Sequence, residues 1–148
     1  LIPPLGGTVK TTGRVRYLAQ NAHVFATSIS ENVRIGCKEA TESEVLAALD
    51  RAGLSMPPGR VIAEDGGTLS GGEAQRLALA RVLVSHDATV DPAAHDLLIL
   101  DEPTEHLDVE TSEALMDDLW ATTTNAAKVV ITHDPLVMAR CDRVWRIG

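Results

Sequence analysis

The stretch from Thr68 to Asp108 constrains the fold of this chain more than any other. It begins with Thr-Leu-Ser-Gly-Gly-Glu-Ala-Gln-Arg and ends with Leu-Leu-Ile-Leu-Asp-Glu-Pro-Thr-Glu-His-Leu-Asp. The first run predicts a helix whose glycine-rich start leaves backbone N–H groups open to an anion. The second predicts a buried strand that ends in two carboxylates, which suit a metal ion and a water molecule. Together they predict half of a site for nucleotide hydrolysis.

Two further strands are predicted from the polarity pattern. Residues 14–19 alternate in polarity, and residues 128–132 form an apolar run like the buried strand at residues 97–100. Each strand is followed by a polar residue or pair: Gln20, Asp101 with Glu102, and His133. In open α/β sheets, ligands lie outside the carboxyl ends of the strands, so these four side chains are expected to converge on one site.

Helix starts are marked by capping residues. Capping-box pairs occur at Ser28 and Glu31, Thr41 and Glu44, and Ser70 and Glu73. The second helix is expected to end at Gly53, and the third to run from Glu73 to about Val84. Asp108 is expected to cap a helix from Val109 to about Trp120. Short strands are expected at residues 8–10 and, as an edge strand, at residues 143–147, and loops at residues 56–67 and 85–96.

Composition and charge exclude several classes of protein. The net charge is −8, with 13 basic against 21 acidic residues, which argues against a nucleic-acid partner. Cys37 and Cys141 have neither metal-ligand nor CxxC spacing, so a reducing compartment is expected. No apolar run approaches the length of about 18 residues that spans a bilayer. Membrane association is therefore expected only through a partner or through chain outside these residues.

The two carboxylates after the central strand are expected to have different roles. Asp101 and Glu102 are adjacent on a strand, so their side chains point in opposite directions. One can hold Mg²⁺, directly or through water, while the other orients and deprotonates a nucleophilic water. The alternative is a purely structural turn, Asp-Glu-Pro-Thr, that ends the strand.

The residues from Ser70 to Glu73 also allow two interpretations. Backbone N–H groups and the helix dipole at this N-terminus favour a phosphate. A capping box, however, explains Ser70 and Glu73 without any ligand. The paired glycines, Gly71 and Gly72, favour the ligand, because glycine in an opening turn lowers stability unless something approaches closely.

Single polar residues are weaker signals. Gln20 alone is typical of a surface amide, and His133 alone of a hydrogen-bonded structural histidine, so only their shared strand-end position raises them to candidates. The other histidines show no ligand spacing, and a metal role is not expected for them: His23, His86, His95 and His106.

These motifs resemble those of the nucleotide-binding domains of ABC transporters. Residues 69–76 are similar to the ABC signature, residues 97–102 to the Walker B strand with its catalytic glutamate, and residues 104–108 to the D-loop. Gln20 resembles the Q-loop glutamine, and His133, in Ile-Thr-His-Asp, the switch histidine. The order and spacing of all five agree with the family across nearly the whole chain.

The resemblance implies a role for each strand-end residue. Asp101 would bind Mg²⁺, and Glu102 would polarise the attacking water. His133 would contact the γ-phosphate. Gln20 would reach the metal or the water and relay motion to a transmembrane partner.

The signature and the D-loop imply a second nucleotide-binding domain as partner. Ser70, Gly71 and Gly72 would grip the γ-phosphate of an ATP held mainly by that opposing domain. Glu73, where the family more often has glutamine, would meet a ribose hydroxyl, and Asp108 would lie beside the nucleotide in the D-loop. A head-to-tail homodimer or heterodimer with ATP and Mg²⁺ is therefore implied.

The resemblance also implies the domain organisation. Its fold class is α/β, a P-loop NTPase-like parallel sheet core with an inserted α-helical subdomain. Residues 1–20 and 96–148 would form the ATPase core, and residues 21–95 the helical subdomain that carries the signature. Residues 23–33 are similar to exporter-type domains, which implies transmembrane domains as partners at the cytoplasmic face of the cell membrane. The D-loop is further similar to that of one half of the heterodimeric cysteine/glutathione exporters linked to cytochrome bd assembly.

One family motif is missing from the chain. No G-x-x-x-x-G-K-[ST] run occurs, and residues 6–12 lack its spacing. The resemblance places that P-loop upstream of Leu1, which implies an N-terminally truncated core with exposed strand edges. Without the backbone cradle and lysine, the phosphates lose most of their binding site. The chain alone is therefore predicted neither to bind ATP tightly nor to hydrolyse it.

Two other functions remain open from the sequence. A soluble ABC-family ATPase of DNA repair or translation would share these motifs, although the DNA-repair members would carry a long coiled coil between Gln20 and Leu69, where no heptad run occurs. A non-hydrolysing regulatory ABC module is the third reading. The intact Glu102 and His133 argue against it.

Overall fold

The computed structural model describes residues 6–8, 10, 13–20, 23–63, 69–84, 97–105, 107–123 and 126–147. In chain order its elements are β1 (Val15–Leu18), α1 (Ile29–Arg34), α2 (Glu42–Arg51), α3 (Gly71–Leu83), β2 (Leu97–Asp101), α4 (Val109–Thr122), β3 (Ala127–Ile131) and α5 (Pro135–Met138). Strands and helices are mixed along the chain, with three helices between β1 and β2. This is the predicted α/β class.

The three strands form one parallel sheet in the order β1-β2-β3. Val15 pairs with Leu97, and Leu97 pairs with Ala127, so the three strands are in register from their first residues. Because all three run in the same direction, their carboxyl ends lie at one edge of the sheet. The predicted parallel sheet is confirmed, with β2 at its centre.

The predicted caps begin the helices. Thr41 with Glu44 and Ser70 with Glu73 both form complete capping boxes, at the starts of α2 and α3. The Ser28 side chain accepts the N–H of Glu31 and begins α1. Gly53 follows α2 with a φ of 65°, a left-handed conformation that favours glycine and ends the helix as predicted.

The core lies between one face of the sheet and the helices. Leu18, Leu98 and Leu100 point into it from the strands, and α3 contributes buried residues on most of its sides. Helix α3 packs against α1, α2 and β1, which makes it the central helix of the described structure. The aliphatic side chains of α4, Leu115 and Leu119, complete the same cluster.

The other face of the sheet remains exposed. Tyr17, Ile99 and Val129 are in register and lie on this face, and Val129 is 44% exposed. Strand β3 was predicted as buried, but it alternates between exposed and half-buried residues. An apolar run cannot show whether a second layer covers the strand, which is why this prediction was wrong.

Two boundaries also differ from the prediction. Helix α3 starts at Gly71 instead of Glu73, because a capping box places its acidic residue at the third helical position. Residues 143–147 form no strand, and Trp145 and Ile147 in this segment are highly exposed. Alternation of apolar and charged residues does not by itself make a strand, because a strand also needs backbone hydrogen bonds to a neighbour. The loop predicted at residues 85–96 lies outside the described residues, and so does part of the segment 8–10.

No helix in the described parts of the chain is long and apolar enough to cross a membrane.

Candidate functional site

Asp101 and Glu102 lie at the carboxyl end of the central strand and turn to opposite sides. The hydroxyl of Tyr17, on β1, donates to Asp101 Oδ2 at 3.1 Å. Glu102 Oε1 lies 2.9 Å from His133 Nδ1, and Glu102 Oε2 accepts from Thr132 Oγ1 at 3.3 Å, both beyond the end of β3. The two carboxylates are therefore held by different neighbouring strands, so they are free to serve different functions.

The backbone of Glu102 adopts an unusual conformation. Its φ is 47°, and among the described residues it is the one non-glycine residue with a positive φ. This conformation costs roughly 1–3 kcal/mol for such a residue and persists only where surrounding contacts hold it. The Glu102 N–H donates to Ile131 O at 2.9 Å, while its carbonyl accepts from Glu105 N at 3.1 Å and from Gln75 Nε2 at 3.3 Å. Strain held in this way is concentrated at functional positions.

His133 forms an ion pair with the same glutamate. Its hydrogen bond to Glu102 raises the pKa of His133 above its ordinary value, and the charges of Glu102, Asp134 and Glu105 add to this effect. The His133 side chain is 84% exposed while that of Glu102 is 15% exposed. The imidazole thus covers the carboxylate at the open edge of the sheet.

Gln20 reaches this edge of the sheet at a different point. Its Nε2 donates to Glu105 Oε1 at 3.4 Å, in the turn that follows Glu102. The three strand ends therefore meet, but the amide of Gln20 contacts Glu105 instead of Asp101 or Glu102.

Ser70 and Glu73 at the start of α3 satisfy one another. Ser70 N donates to Glu73 Oε2 at 2.6 Å, and Glu73 N donates to Ser70 Oγ at 3.2 Å. The hydrogen bond from the Ser70 backbone, followed by that from its side chain, lowers the pKa of Glu73. The capping box alone therefore accounts for the geometry of Ser70 and Glu73, as the structural interpretation predicts.

Gly71 is not explained by capping. It follows Ser70 in the first turn of α3 without a left-handed φ, and a Cβ built on it would meet nothing within 4 Å. Neither backbone conformation nor internal packing requires glycine here. A ligand that approaches the helix N-terminus closely would require it, and exposed N–H groups at this end favour an anion.

Asp108 serves as the N-cap of α4. Its Oδ1 accepts from Thr111 N at 2.9 Å and its Oδ2 from Thr111 Oγ1 at 2.7 Å. The backbone hydrogen bond from Thr111 is the main cause that lowers the pKa of Asp108. The carboxylate predicted to lie near a nucleotide is thus already held in place by its own helix.

The donor set at the strand ends fits a magnesium ion. Among the described residues, no three His, Cys, Asp or Glu side chains are grouped as metal ligands. Mg²⁺ usually keeps several waters and takes only one or two carboxylates together with phosphate oxygens. Asp101, a carboxylate at the open edge with one neutral donor on it, meets that requirement.

Comparison with known proteins decides the family. The family model described as ABC transporter matches residues 6–105, which is more than half of the chain. The chain belongs to the ABC transporter family. Its fold is similar to that of a bacterial Atm1-family ABC exporter with ATP bound, with a TM-score of 0.72, 28% identity, and coverage of 86% of this chain and 22% of that one.

Curated relatives of this ABC transporter chain include ATP-binding proteins of transport systems. The transport/processing ATP-binding protein ComA of Streptococcus pneumoniae is 35% identical over 88% of this chain and 18% of its own length. The mitochondrial potassium channel ATP-binding subunit of Homo sapiens is 34% identical, over 90% and 19%. A probable ABC transporter ATP-binding/permease protein of Haemophilus influenzae is 29% identical, over 95% and 28%. This chain therefore spans between 18% and 28% of the length of these relatives.

Sequence reasoning missed several residues of this ABC transporter site. Tyr17, Thr132 and Glu105 contact the predicted candidates, and Gln75 contacts the Glu102 carbonyl. Tyr17 lies on a strand and points away from the core, and nothing in the sequence around it indicates a role in the site. Glu105 could have been found as the fourth residue of the turn that Glu102 begins.

Several expectations stay predictions after these comparisons. They include the roles of the candidate site residues, the domain boundaries at residues 20 and 96, the truncated core, and the likeness of the D-loop to the cysteine/glutathione exporters.

Proposed function

We propose that this chain is the ATP-hydrolysing part of an ABC exporter and couples hydrolysis to transmembrane transport. The observation that carries the proposal is the position of the Glu102 carboxylate. It lies at the open end of the sheet, with its oxygens oriented by His133 and Thr132 and its backbone held in a left-handed conformation. A carboxylate fixed by two neighbours can orient a water molecule for attack.

The residues at the strand ends divide the chemistry between them. Glu102 orients the attacking water and accepts its proton at a carboxylate oxygen. His133 faces the transferred phosphoryl group, and its hydrogen bond with Glu102 sets the direction of its ring. Asp101 would hold a magnesium ion, which when bound would neutralise phosphate charge. Gln20 is hydrogen-bonded to Glu105, so a movement of the turn after Glu102 would also move Gln20.

The N-terminus of α3 is proposed to bind phosphate from a different nucleotide. Gly71 and Gly72 present backbone N–H groups, and Ser70 its hydroxyl, where the helix dipole is positive. The chain contains no P-loop run beside them. In a head-to-tail dimer of such domains, a phosphate at this helix would belong to an ATP held mainly by the second nucleotide-binding domain. Glu73 and Asp108 would border that nucleotide, and the chain alone would neither bind ATP tightly nor hydrolyse it.

A transmembrane partner is proposed to dock beside the segment that follows Gln20. A cleft of about 360 Å³ lies between β1, α3 and this segment, and its rim includes Phe25 and Ile35. These apolar side chains are 44% and 51% exposed. Exposed aromatic and aliphatic residues beside a concave surface are typical of protein interfaces. Docking of this kind would hold the chain at the cytoplasmic face of the cell membrane.

The direct test is hydrolysis by the purified transporter that contains this chain. Glu102→Gln keeps the size of the side chain and removes the base, so we expect Mg-ATP turnover to fall by about 100-fold or more while ATP binding is retained. The matched control is Glu113→Gln, the same chemical change at an exposed position of α4, which should hydrolyse ATP at the unmodified rate. Equal turnover in both variants would refute the role of Glu102.

A further inference from the structure

We propose that Gln75 is a positioning residue that holds the backbone of Glu102 in its left-handed conformation. The inference rests on the proposed function, since it takes Glu102 as the residue that orients the attacking water. Gln75 does not contact the carboxylate, so it acts through the Glu102 carbonyl, and the geometry of both residues supports this link.

Gln75 is a buried polar residue close to the apolar part of α3. It is 6% exposed, and Leu77, Ala78 and Leu79, which follow it, are all buried. Burial of a primary amide lowers stability unless its groups are hydrogen-bonded. The partner of its Nε2 is the carbonyl oxygen of Glu102, at 3.3 Å and 27 residues away in the chain. This contact gives a buried glutamine at this position a function that an apolar residue could not replace.

The Glu102 carbonyl controls where the carboxylate points. Glu102 is fixed on its amino side by Ile131 O and on its carbonyl side by Glu105 N and Gln75 Nε2. If φ relaxed to an ordinary negative value, the side chain would turn away from His133 and Thr132, because its direction follows the backbone. Loss of the Gln75 hydrogen bond removes one of the contacts that oppose this relaxation.

The same hydrogen bond connects two ends of the catalytic machinery. Gln75 lies four residues after Gly71, which is one helical turn from the proposed phosphate-binding N-terminus of α3. In a head-to-tail dimer, that N-terminus meets one nucleotide and Glu102 acts on the other. If phosphate binding shifts α3, the shift would therefore change the position of the Glu102 carboxylate, which acts on the other nucleotide. The side chain of Gln75 would transmit it.

The test uses the intact transporter and compares two variants of the same helix. Gln75→Met keeps the length of the side chain without a donor, and Leu83→Val removes buried volume from α3 without touching Glu102. We expect Gln75→Met to lower kcat between about tenfold and about 100-fold, as a small misplacement of a catalytic group does. The KM for Mg-ATP should stay within about twofold, whereas Leu83→Val should change neither parameter by more than that. Equal kcat values for Gln75→Met and unmodified protein would overturn the inference, and so would an equal loss in both variants.

A double-mutant cycle separates positioning from general destabilisation. In single-turnover hydrolysis with Glu102→Gln already present, Gln75→Met should cost less than about twofold, because the carboxylate through which it acts is gone. If Gln75→Met lowers the hydrolysis rate as much with Glu102→Gln present as without it, the proposal is contradicted. If Gln75→Met does not fold, Gln75→Asn takes its place, since it withdraws the amide by one methylene.

A structural measurement keeps this inference separate from the proposed function. The backbone carbon shifts of Glu102 in solution NMR report its φ and need no catalysis. In Gln75→Met these shifts should move toward those of a negative φ, and unchanged shifts would overturn the inference whatever the kinetics. If Glu102→Gln hydrolyses ATP normally but the shifts do move, the proposed function fails and the structural link between Gln75 and Glu102 stands.

Discussion

At the scale of single residues, the site combines constrained groups with one unconstrained position. Glu102, Ser70 and Asp108 are each held by hydrogen bonds within the chain, which fixes where their oxygens lie. Gly71 is different, since no internal contact or left-handed backbone accounts for its lack of a side chain. Substitutions at Gly71 and His133 therefore test function with little disturbance of the fold.

Replacement of Gly71 should separate stability from activity. Gly71→Ala adds a methyl group that meets no atom of the chain, so we expect the free energy of unfolding to rise by about 0.4–1 kcal/mol. The same methyl group lies where a phosphate would approach, so ATP turnover by the transporter should fall by about tenfold or more. Urea denaturation and steady-state hydrolysis measure the two effects. A variant that is more stable and fully active would show that no ligand approaches this turn.

The pairing of His133 with Glu102 should be visible in its titration. The hydrogen bond to Glu102 raises the pKa of His133, so the stabilisation from this pair is present below the ordinary pKa of histidine. It is lost as the pH rises through the raised pKa, where the imidazole deprotonates. NMR titration should give His133 a midpoint above its ordinary value, which Glu102→Gln returns toward that value. The same midpoint in both proteins would contradict the pairing.

At the scale of elements, the packing of α1 on α3 depends on close approach and on one arginine. Arg81 Nε donates to Asn32 O at 2.9 Å, and its guanidinium lies 5.3 Å from the centre of the Phe25 ring. Burial lowers the pKa of Arg81, and its hydrogen bonds to Asn32 and to the His23 carbonyl offset the cost of that burial. The segment after Gln20 is thus tied to the same helix that carries the signature.

Gly36, just after α1, should be the most sensitive glycine of this packing. A Cβ at Gly36 would lie 1.9 Å from the Arg81 carbonyl oxygen, which belongs to the backbone of α3 and cannot rotate away. Gly36→Ala should therefore lower the free energy of unfolding by about 3 kcal/mol, the upper end of overpacking costs. Gly59→Ala is the matched control, since a Cβ there meets nothing within 4 Å. If urea midpoints fall equally for both variants, close packing at Gly36 is not the cause.

At the scale of the whole molecule, the described chain has one covered and one uncovered sheet face. Leu98 and Leu100 pack under the helices, whereas Val15, Val129 and Ile131 on the opposite face are between 44% and 50% exposed. Exposed apolar patches of this kind mark surfaces that meet other protein. The N-terminus of α3, which is proposed to bind phosphate, would likewise offer only one side of a nucleotide site.

Calorimetric titration of the 148-residue chain with Mg-ATP tests whether the chain alone binds the nucleotide. After circular dichroism has shown that it is folded, we expect no heat up to roughly millimolar Mg-ATP, a free energy of binding weaker than about −4 kcal/mol. The chain contains no G-x-x-x-x-G-K-[ST] run to cradle the phosphates. Micromolar binding that Asp101→Ala abolishes would mean that these residues contain a cradle of their own.

The sequence alone determined the local features of this protein. Capping boxes at Thr41 and Ser70 and the glycine after α2 placed helix ends, because those signals act within a few residues. The apolar run before Asp101 placed the central strand, and the shared direction of parallel strands predicted that the polar residues after them would meet. The order and spacing of these motifs were also enough to indicate the family.

The tertiary structure decided what depends on contacts between distant parts of the chain. It left β3 exposed on one face, bonded Gln20 to Glu105, and set the amide of Gln75 against the Glu102 carbonyl. It also placed Glu102 in a left-handed conformation that no sequence pattern around it predicts. Periodicity reports which residues prefer to be buried, but it cannot report which partner, 27 residues away, satisfies a buried amide. That choice follows only once the helices have packed on the sheet.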